Sequence, residues 1–497
     1  MRWSTPALLV SMAVGLALCY RSGELPLILA GLLLYGVLAT RRIDLALLFI
    51  PLTAPLFLIS AALPNSSAPE LLLPPHEFAV LTAAAALLLG TLMGGLGYSS
   101  LDFTVSGSPR RIRSWLRMAA LYAPEGLFLV AGVLGVFHAA PEPEAQRDAL
   151  RAFRWFIVEP LIFSALLRLP VTDTRSRPDS NDPLAMQLIR VFIIGGAIVA
   201  LAGLLQFIGY GWVVGTPTPT PRFTSIAALA GGAWRATSVY GNPNNLGLYL
   251  GRVWPIAAML ALAAWQHRET PLVRRGAALG YGLCALLCLG GILISFSRGA
   301  WVGTGAALLV LALPYARQRF RRRLLPSMIV VGATLVGVGG LIFALRGGLL
   351  GGSTSVRLLF WREALVLIQQ HPLGLGLDQF YYYHDPAYGR SQIDPVLAYT
   401  QERYARQPHN VVLELWLNLG PLGVLAIAGL LARAIRCARA TLRHPPTAYA
   451  ALLTRGALAA LAAALVHGLV DTFYFWPDLA MTFWLLIALI ETTAADY

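Results

Sequence analysis

YYYHDPAYGRSQIDPVLAYTQERYARQPHN, residues 381–410, runs directly into VVLELWLNLGPLGVLAIAGLLARA, residues 411–434. The second stretch is an apolar run of roughly 20 residues, the length a helix needs to cross hydrocarbon. The first is polar and aromatic, and it belongs to a longer polar segment that begins near Arg346 and ends at Pro408. A bilayer offers no water to solvate irregular backbone, so that segment is expected outside the membrane. A long connection in a chain otherwise made of helices points to function.

Composition agrees with this reading. Hydrophobic residues make up 57% of the 497 residues, charged residues 12%, and the mean hydropathy is +0.65. These values describe an all-α polytopic integral membrane protein and exclude an ordinary soluble domain. The net charge of +14 comes from Arg, with no Lys anywhere, clustered in short segments between apolar runs. Such clusters read as topology signals and give no reason to expect nucleic acid. Cys19, Cys284, Cys288 and Cys437 are scattered in or beside apolar runs and suggest neither a disulfide framework nor a zinc site. The run Pro6 to Tyr20 lacks a small-residue cleavage pattern before Arg21 and Glu24, and is expected to be a first short membrane helix.

About 12–14 transmembrane helices are expected from apolar runs of sufficient length. They include Phe153 to Leu169, Ala185 to Tyr210, Pro326 to Leu345, Val411 to Ala432 and Leu479 to Ile490. Four divisions follow: N-terminal transmembrane helices over 1–234, central helices with Arg motifs over 235–345, a periplasmic loop over 346–408, and C-terminal helices with a His motif over 409–497. The basic connections at Arg41-Arg42, Arg110 to Arg113, Arg168 to Arg177, Arg268 to Arg275, Arg317 to Arg323 and Arg433 to Arg443 are each separated by two spans. The positive-inside rule then places them and both termini in the cytoplasm. The long loop, the Thr/Pro-rich Gly215 to Tyr240, Ala140 to Ala152 and Asp471 to Asp478 fall on the opposite face.

Three features on that face carry chemistry. Arg235 precedes Tyr240-Gly241-Asn242-Pro243-Asn244-Asn245, a turn that can cap the next helix and leave its N–H groups facing an anion. Capping explains the Asn residues but not Arg235. Arg298 stands in the turn Ser295-Phe296-Ser297-Arg298-Gly299-Ala300-Trp301. It reads either as an interfacial anchor beside Trp301 or as a guanidinium fork for phosphate oxygens. His409, between Pro408 and Asn410, enters a helix whose dipole disfavours the imidazolium. It reads as a cap, or as a base kept neutral.

These stretches, together with Arg357 to Phe380 and its His371-Pro372-Leu373-Gly374-Leu375-Gly376, resemble the O-antigen ligase and O-antigen polymerase family of bacterial envelope glycosyltransferases. The resemblance covers roughly Arg235 to Trp484 in order and spacing. It implies a GT-C-like, metal-independent transferase in the bacterial inner membrane with its active site facing the periplasm; with His409 as base and attack from the opposite face, transfer is expected to be inverting. The donor would be a glycan on undecaprenyl pyrophosphate, and the acceptor hydroxyl would belong to a lipid A core or a related surface glycan. Among site residues, it implies His409 as the essential histidine and Arg235 and Arg298 as pyrophosphate ligands. Arg357 and Arg362 fall in its less sharply assigned region.

Other residues are read from the sequence itself. His467 and Asp471 share a helical face and either support the pocket, as Asp378 and Asn410 are expected to, or only cap the helix. Arg154 and Glu159 are expected to be ion-paired, with each other or with a neighbouring span. No cofactor is expected. A metal site built from His384, Asp385, His409 and Asp378 is a weaker reading, because the spacing matches no defined site. Tyr381 to Tyr383 would stack on sugars or, by preference, sit in the headgroup belt. The alternatives within the same chemistry are a polymerase and a protein O-oligosaccharyltransferase. A lipid-linked glycan transporter is disfavoured by the absence of a repeat and by the concentration of polar residues on one face.

Overall fold

A computed structural model describes residues 4–21, 24–58, 73–92, 109–168, 184–209, 235–266, 271–319, 353–391, 393–399 and 401–494. The elements among them are helical. In chain order they are α1 (Thr5–Arg21), α2 (Leu25–Arg41), α3 (Ile43–Thr53), α4 (Pro75–Leu92), α5 (Pro109–Phe137), α6 (Pro143–Phe153) and α7 (Glu159–Arg168). Next come α8 (Leu184–Gly209), α9 (Pro243–Gln266), α10 (Pro271–Ser295), α11 (Arg298–Arg319) and α12 (Ser353–Gln370). The last are the short α13 (Phe380–His384) and α14 (Pro395–Ala398), then α15 (Val411–Arg443), α16 (Ala448–Gly468) and α17 (Pro477–Thr493). Proline opens α4, α6, α9, α10, α14 and α17, at the position where its fixed φ suits a helix and its missing N–H is not needed.

Five of these helices are long and apolar enough to cross a membrane: Leu184–Ile208, Pro243–Gln266, Arg275–Ser295, Val411–Arg443 and Ala448–Gly468. Six shorter apolar helices accompany them. The chain is therefore an all-α polytopic membrane protein. The span expected over residues 326–345 and most of the Thr/Pro-rich stretch over 215–240 lie outside the described residues.

The chain forms two compact units, Met1–Tyr122 with Glu159–Gly195, and Ala123–Val158 with Gly196–Tyr497. In the first, α4 packs on α2, α3 and α7. There Glu159 finds His76 of α4, with Nε2 3.7 Å from the carboxylate. In the second, α9, α11, α15 and α17 all pack on α16. Arg433 of α15 is buried between Glu491 of α17, 2.7 Å from its Nε, and Glu125 of α5, 2.9 Å from its Nη1. Both of those helices are thereby tied to α15 through one guanidinium.

Three expected segments differ from their sequence reading. The connection expected over Ala140 to Ala152 is largely the amphipathic helix α6, which buries Ala145, Asp148, Ala149 and Ala152. The plain span expected over Phe153 to Leu169 opens with a π-helical turn, Arg154–Val158. Such a turn loosens the regular ladder, and here the Phe156 carbonyl accepts from the Tyr474 hydroxyl at 2.7 Å. The segment expected as an open loop over 346–408 carries the 18-residue α12. That helix buries Phe360, Ala364 and Leu367, the last two in a cluster with Leu375, Phe380 and Leu417.

What seats the polar segment on the bundle is one proline. Pro421 has no N–H, so the Leu417 carbonyl four residues earlier loses its helical donor and α15 kinks at Gly420 (φ 64°, ψ −168°). The freed carbonyl accepts from Leu375 N at 2.7 Å and from Gly376 N at 3.2 Å. A side chain at Gly420 would strike the Leu373 backbone, with the carbonyl carbon at 2.9 Å. Only glycine tolerates both the dihedrals and the contact.

Candidate active site

The turn after residue 234 is held from below by Gln206 of α8. Its Oε1 accepts from Thr237 N at 2.9 Å and Ser238 N at 2.8 Å. This fixes Arg235, whose Nε donates to the Ser295 carbonyl at 2.7 Å and whose Nη2 donates to Asn244 Oδ1 at 3.0 Å. The Asn residues therefore do two things: Asn242 Oδ1 caps Asn244 N at 2.8 Å, and Asn244 orients Arg235. The Ser295 contact puts Arg235 at the end of α10, three residues before Arg298.

Arg298 opens α11 after a turn in which Phe296 adopts a left-handed φ of 50°. His467 of α16 closes over this turn, its Nε2 3.3 Å from Ser297 Oγ. The approach demands Gly299, since a Cβ there would lie 2.7 Å from His467 Nε2. Arg298 also comes near enough to Arg357 of α12 for the two like charges to repel.

His409 precedes α15 in a left-handed conformation, φ 54°. Its carbonyl accepts from Trp361 Nε1 at 3.3 Å, and its ring lies 6.0 Å from that of Phe360. Asn410 is the N-cap: its Oδ1 accepts from Val412 N at 3.0 Å and Leu413 N at 3.2 Å, and its Nδ2 donates to the Leu469 carbonyl at 3.0 Å. That last bond brings the outgoing turn of α16 against the His409 station.

Asp471 on that turn joins the parts. Its Oδ1 is 3.3 Å from His409 Nδ1 and its Oδ2 is 3.2 Å from Arg357 Nη2. Burial opposes ionisation of Asp471, but the His409 hydrogen bond and the charges of His409 and Arg357 outweigh it and hold the carboxyl well below the usual carboxylate range. An ionised Asp471 suits the tautomer of His409 that carries its hydrogen on Nδ1, and in that tautomer Nε2 of the partly exposed ring can accept a proton. Arg235, Arg298, Arg357, His409, His467 and Asp471 thus gather where the ends of α10, α11, α12, α15 and α16 meet.

Four other expectations change. Arg362 lies five residues beyond Arg357, about 140° round the helix, and is exposed on α12. The carboxylates of Asp378 and Asp385 are engaged by arginines and not by His409. Asp378 binds Arg406 Nη1 at 3.0 Å, and Asp385 binds Arg403 Nη2 at 2.9 Å. His384 is buried and committed at both nitrogens, to Glu363 at 2.7 Å and to the Glu402 carbonyl at 2.8 Å. Among the described residues no group of three or more His, Cys, Asp and Glu converges as a metal site would require. Tyr382, placed by preference in the headgroup belt, is buried against Ala140 and Ala145, with Tyr381 and Tyr388 packed beside it.

Two supporting residues were missed in the sequence. Glu414, one turn into α15 and fully buried, accepts from the Thr472 hydroxyl at 2.9 Å, while Thr472 N donates to Asp471 Oδ1 at 2.9 Å. Arg252, buried in α9, donates to the Leu479 carbonyl at 2.6 Å, to Thr482 Oγ1 at 2.8 Å and to the Phe473 carbonyl. The only sequence signal for either was an ionisable residue inside an apolar run.

Residues 283–428 match a family model described as O-antigen ligase. A search of curated proteins finds no match. The matched segment holds Arg298, Arg357 and His409, and the residues that complete the cluster, Arg235, His467 and Asp471, come from either side of it. Over residues 283–428 the chain is therefore similar to the O-antigen ligase family.

Proposed function

We propose that the chain is a ligase-type glycosyltransferase of the bacterial inner membrane. It moves a glycan from undecaprenyl pyrophosphate to an acceptor hydroxyl of a lipid A core or related surface glycan, on the periplasmic side. The observation that carries this reading is the hydrogen-bonded line Arg357–Asp471–His409 beside Arg298.

Asp471 holds the imidazole with Nδ1–H towards its carboxylate. Nε2 takes the proton of the acceptor hydroxyl as that oxygen attacks the anomeric carbon. The bond from that carbon to the pyrophosphate oxygen breaks on the opposite face, so the centre inverts. The departing undecaprenyl pyrophosphate carries the bonding electrons, and Arg235 and Arg298, with Arg357 at their edge, meet the charge that develops on it. Guanidinium forks suit this task because they remain charged and match phosphate oxygens in pairs. Asp471 already pairs with Arg357, and the summed charge of the three arginines favours a further anion beside them. In this reading the donor pyrophosphate is that anion, and no metal is needed to balance it.

The test uses full-length protein in detergent, an undecaprenyl-pyrophosphate-linked glycan, excess chelator, and lipid A core or a second lipid-linked repeat as acceptor. Transfer to lipid A core by the native protein supports the ligase reading. Transfer only to the lipid-linked repeat makes it a polymerase. Dependence on added metal would overturn the metal-free mechanism.

A further inference from the structure

Ser238, Phe296, Asp378 and His409 are the non-glycine residues that adopt left-handed backbone among those described. Three mark stations already assigned: Ser238 follows Arg235, Phe296 precedes Arg298, and His409 is the proposed base. Strained dihedrals in ordinary residues persist where surrounding structure fixes a side chain for a task. Asp378 is the fourth, and the site above leaves it without one.

Its conformation is imposed from two sides. Leu377 N donates to the Gly135 carbonyl at 3.1 Å, and Asp378 N donates to Asn418 Oδ1 at 2.8 Å. So held, the carboxylate meets Arg406 Nη1 at 3.0 Å, with Arg151 Nη2 at 3.9 Å. Arg406 Nη1 also reaches Asp148 Oδ2 at 2.9 Å, and the same oxygen accepts from the Tyr382 hydroxyl at 2.9 Å. The Arg406 guanidinium lies over the Tyr381 ring, 5.5 Å from its centroid. Half of the Arg406 side chain and about a quarter of that of Asp378 remain exposed.

We infer that Asp378, Arg406 and Tyr381 form a carbohydrate subsite that holds the acceptor glycan beside His409, an inference that rests on the transferase reading above. Its chemistry suits sugar hydroxyls. A carboxylate accepts from one hydroxyl while a forked guanidinium donates to its neighbour, and an aromatic ring packs against the apolar face of a pyranose. Two acids and two bases cancel, so the cluster has no net charge with which to draw in a polyanion. Arg406 lies three residues before His409, so the two Cα atoms are within ~11 Å of one another, a distance that a disaccharide can bridge. In this reading the donor pyrophosphate is met by Arg235, Arg298 and Arg357, and the neutral glycan by this balanced cluster.

A plain clamp of the polar segment onto α6 would use the same ion pairs, and the experiment separates the two. Full-length protein, Asp378→Asn and Arg406→Lys are compared for melting temperature, Kd for the undecaprenyl-pyrophosphate-linked donor, and KM for a dephosphorylated core oligosaccharide as acceptor. Asn tolerates left-handed backbone and leaves Arg406 its ion pair with Asp148, and Lys keeps the charge, so both variants retain a clamp. A carbohydrate subsite predicts unchanged melting and donor Kd, with the acceptor KM raised about tenfold or more, the cost of one charge-assisted hydrogen bond. An unmoved acceptor KM in both variants, or an acceptor effect that merely follows a fall in melting temperature, overturns the subsite. Native protein inactive on every acceptor would instead overturn the transferase reading and this inference with it.

Discussion

Asp471 is where a single atom exchange says most. Asp471→Asn keeps the shape but removes the charge that orients His409 and offsets Arg357. Loss of a correctly held base costs about 10²-fold or more in kcat, with little change in donor Kd, as single-turnover assays will read. The same carboxylate sets a pH dependence. Its pKa is lower in the folded chain than in the unfolded one, so the stability it contributes is fully present above the ordinary carboxylate value of ~3.9 and is lost as pH falls through the depressed value. The lead of the native protein over Asp471→Asn in melting curves should therefore shrink as pH falls below about 4. Gly299→Ala forces a methyl against His467. An overpacked contact of this kind costs ~1–3 kcal/mol and displaces Arg298, so both melting temperature and donor affinity should fall. Arg235, Arg298 and His409 were legible in the sequence because a charge at the mouth of an apolar run needs a reason. Asp471 was legible only as a neighbour of His467, since its pairing with His409 spans 62 positions that no periodicity connects.

Helices and turns show where local pattern suffices and where it does not. Apolar length located α8, α9, α10, α15 and α16 to within about two residues, except for about six at the N-terminal end of α10 and about eleven at the C-terminal end of α15. α12 was read as loop because its charged face, with Arg357 and Arg362, hides a buried stripe of Phe360, Ala364 and Leu367 that only the packing partners make evident. α6 was missed for the same reason. The kink of α15 makes a prediction at this scale. Gly420→Ala would place a side chain in a region of dihedral space essentially reserved for glycine, at about 1–3 kcal/mol, and push on the Leu373 backbone. The turn at 371–376 should loosen, read as faster amide exchange at Leu375 and Gly376, whose N–H groups bond to Leu417.

The second compact unit contains the whole candidate site, so its integrity sets the enzyme's. Arg433 of α15 holds Glu125 and Glu491 from two other helices, away from any reacting group. Arg433→Met leaves two partly buried carboxylates uncompensated, a loss of about 2–3 kcal/mol, less than for a fully buried pair. The variant should melt markedly earlier yet retain native kcat per folded molecule at low temperature. At this scale the sequence yielded the membrane class and the family segment, because both reside in composition and in ordered motifs. It did not yield which helices meet, since apolar faces of similar composition do not name their partners. The direct test of the central claim is single-turnover release of undecaprenyl pyrophosphate by native protein and by His409→Ala, with donor bound to both and chelator present. The account predicts release coupled to glycosylated acceptor in the native protein and loss of both in the variant at unchanged donor Kd. Undiminished transfer by His409→Ala would contradict it.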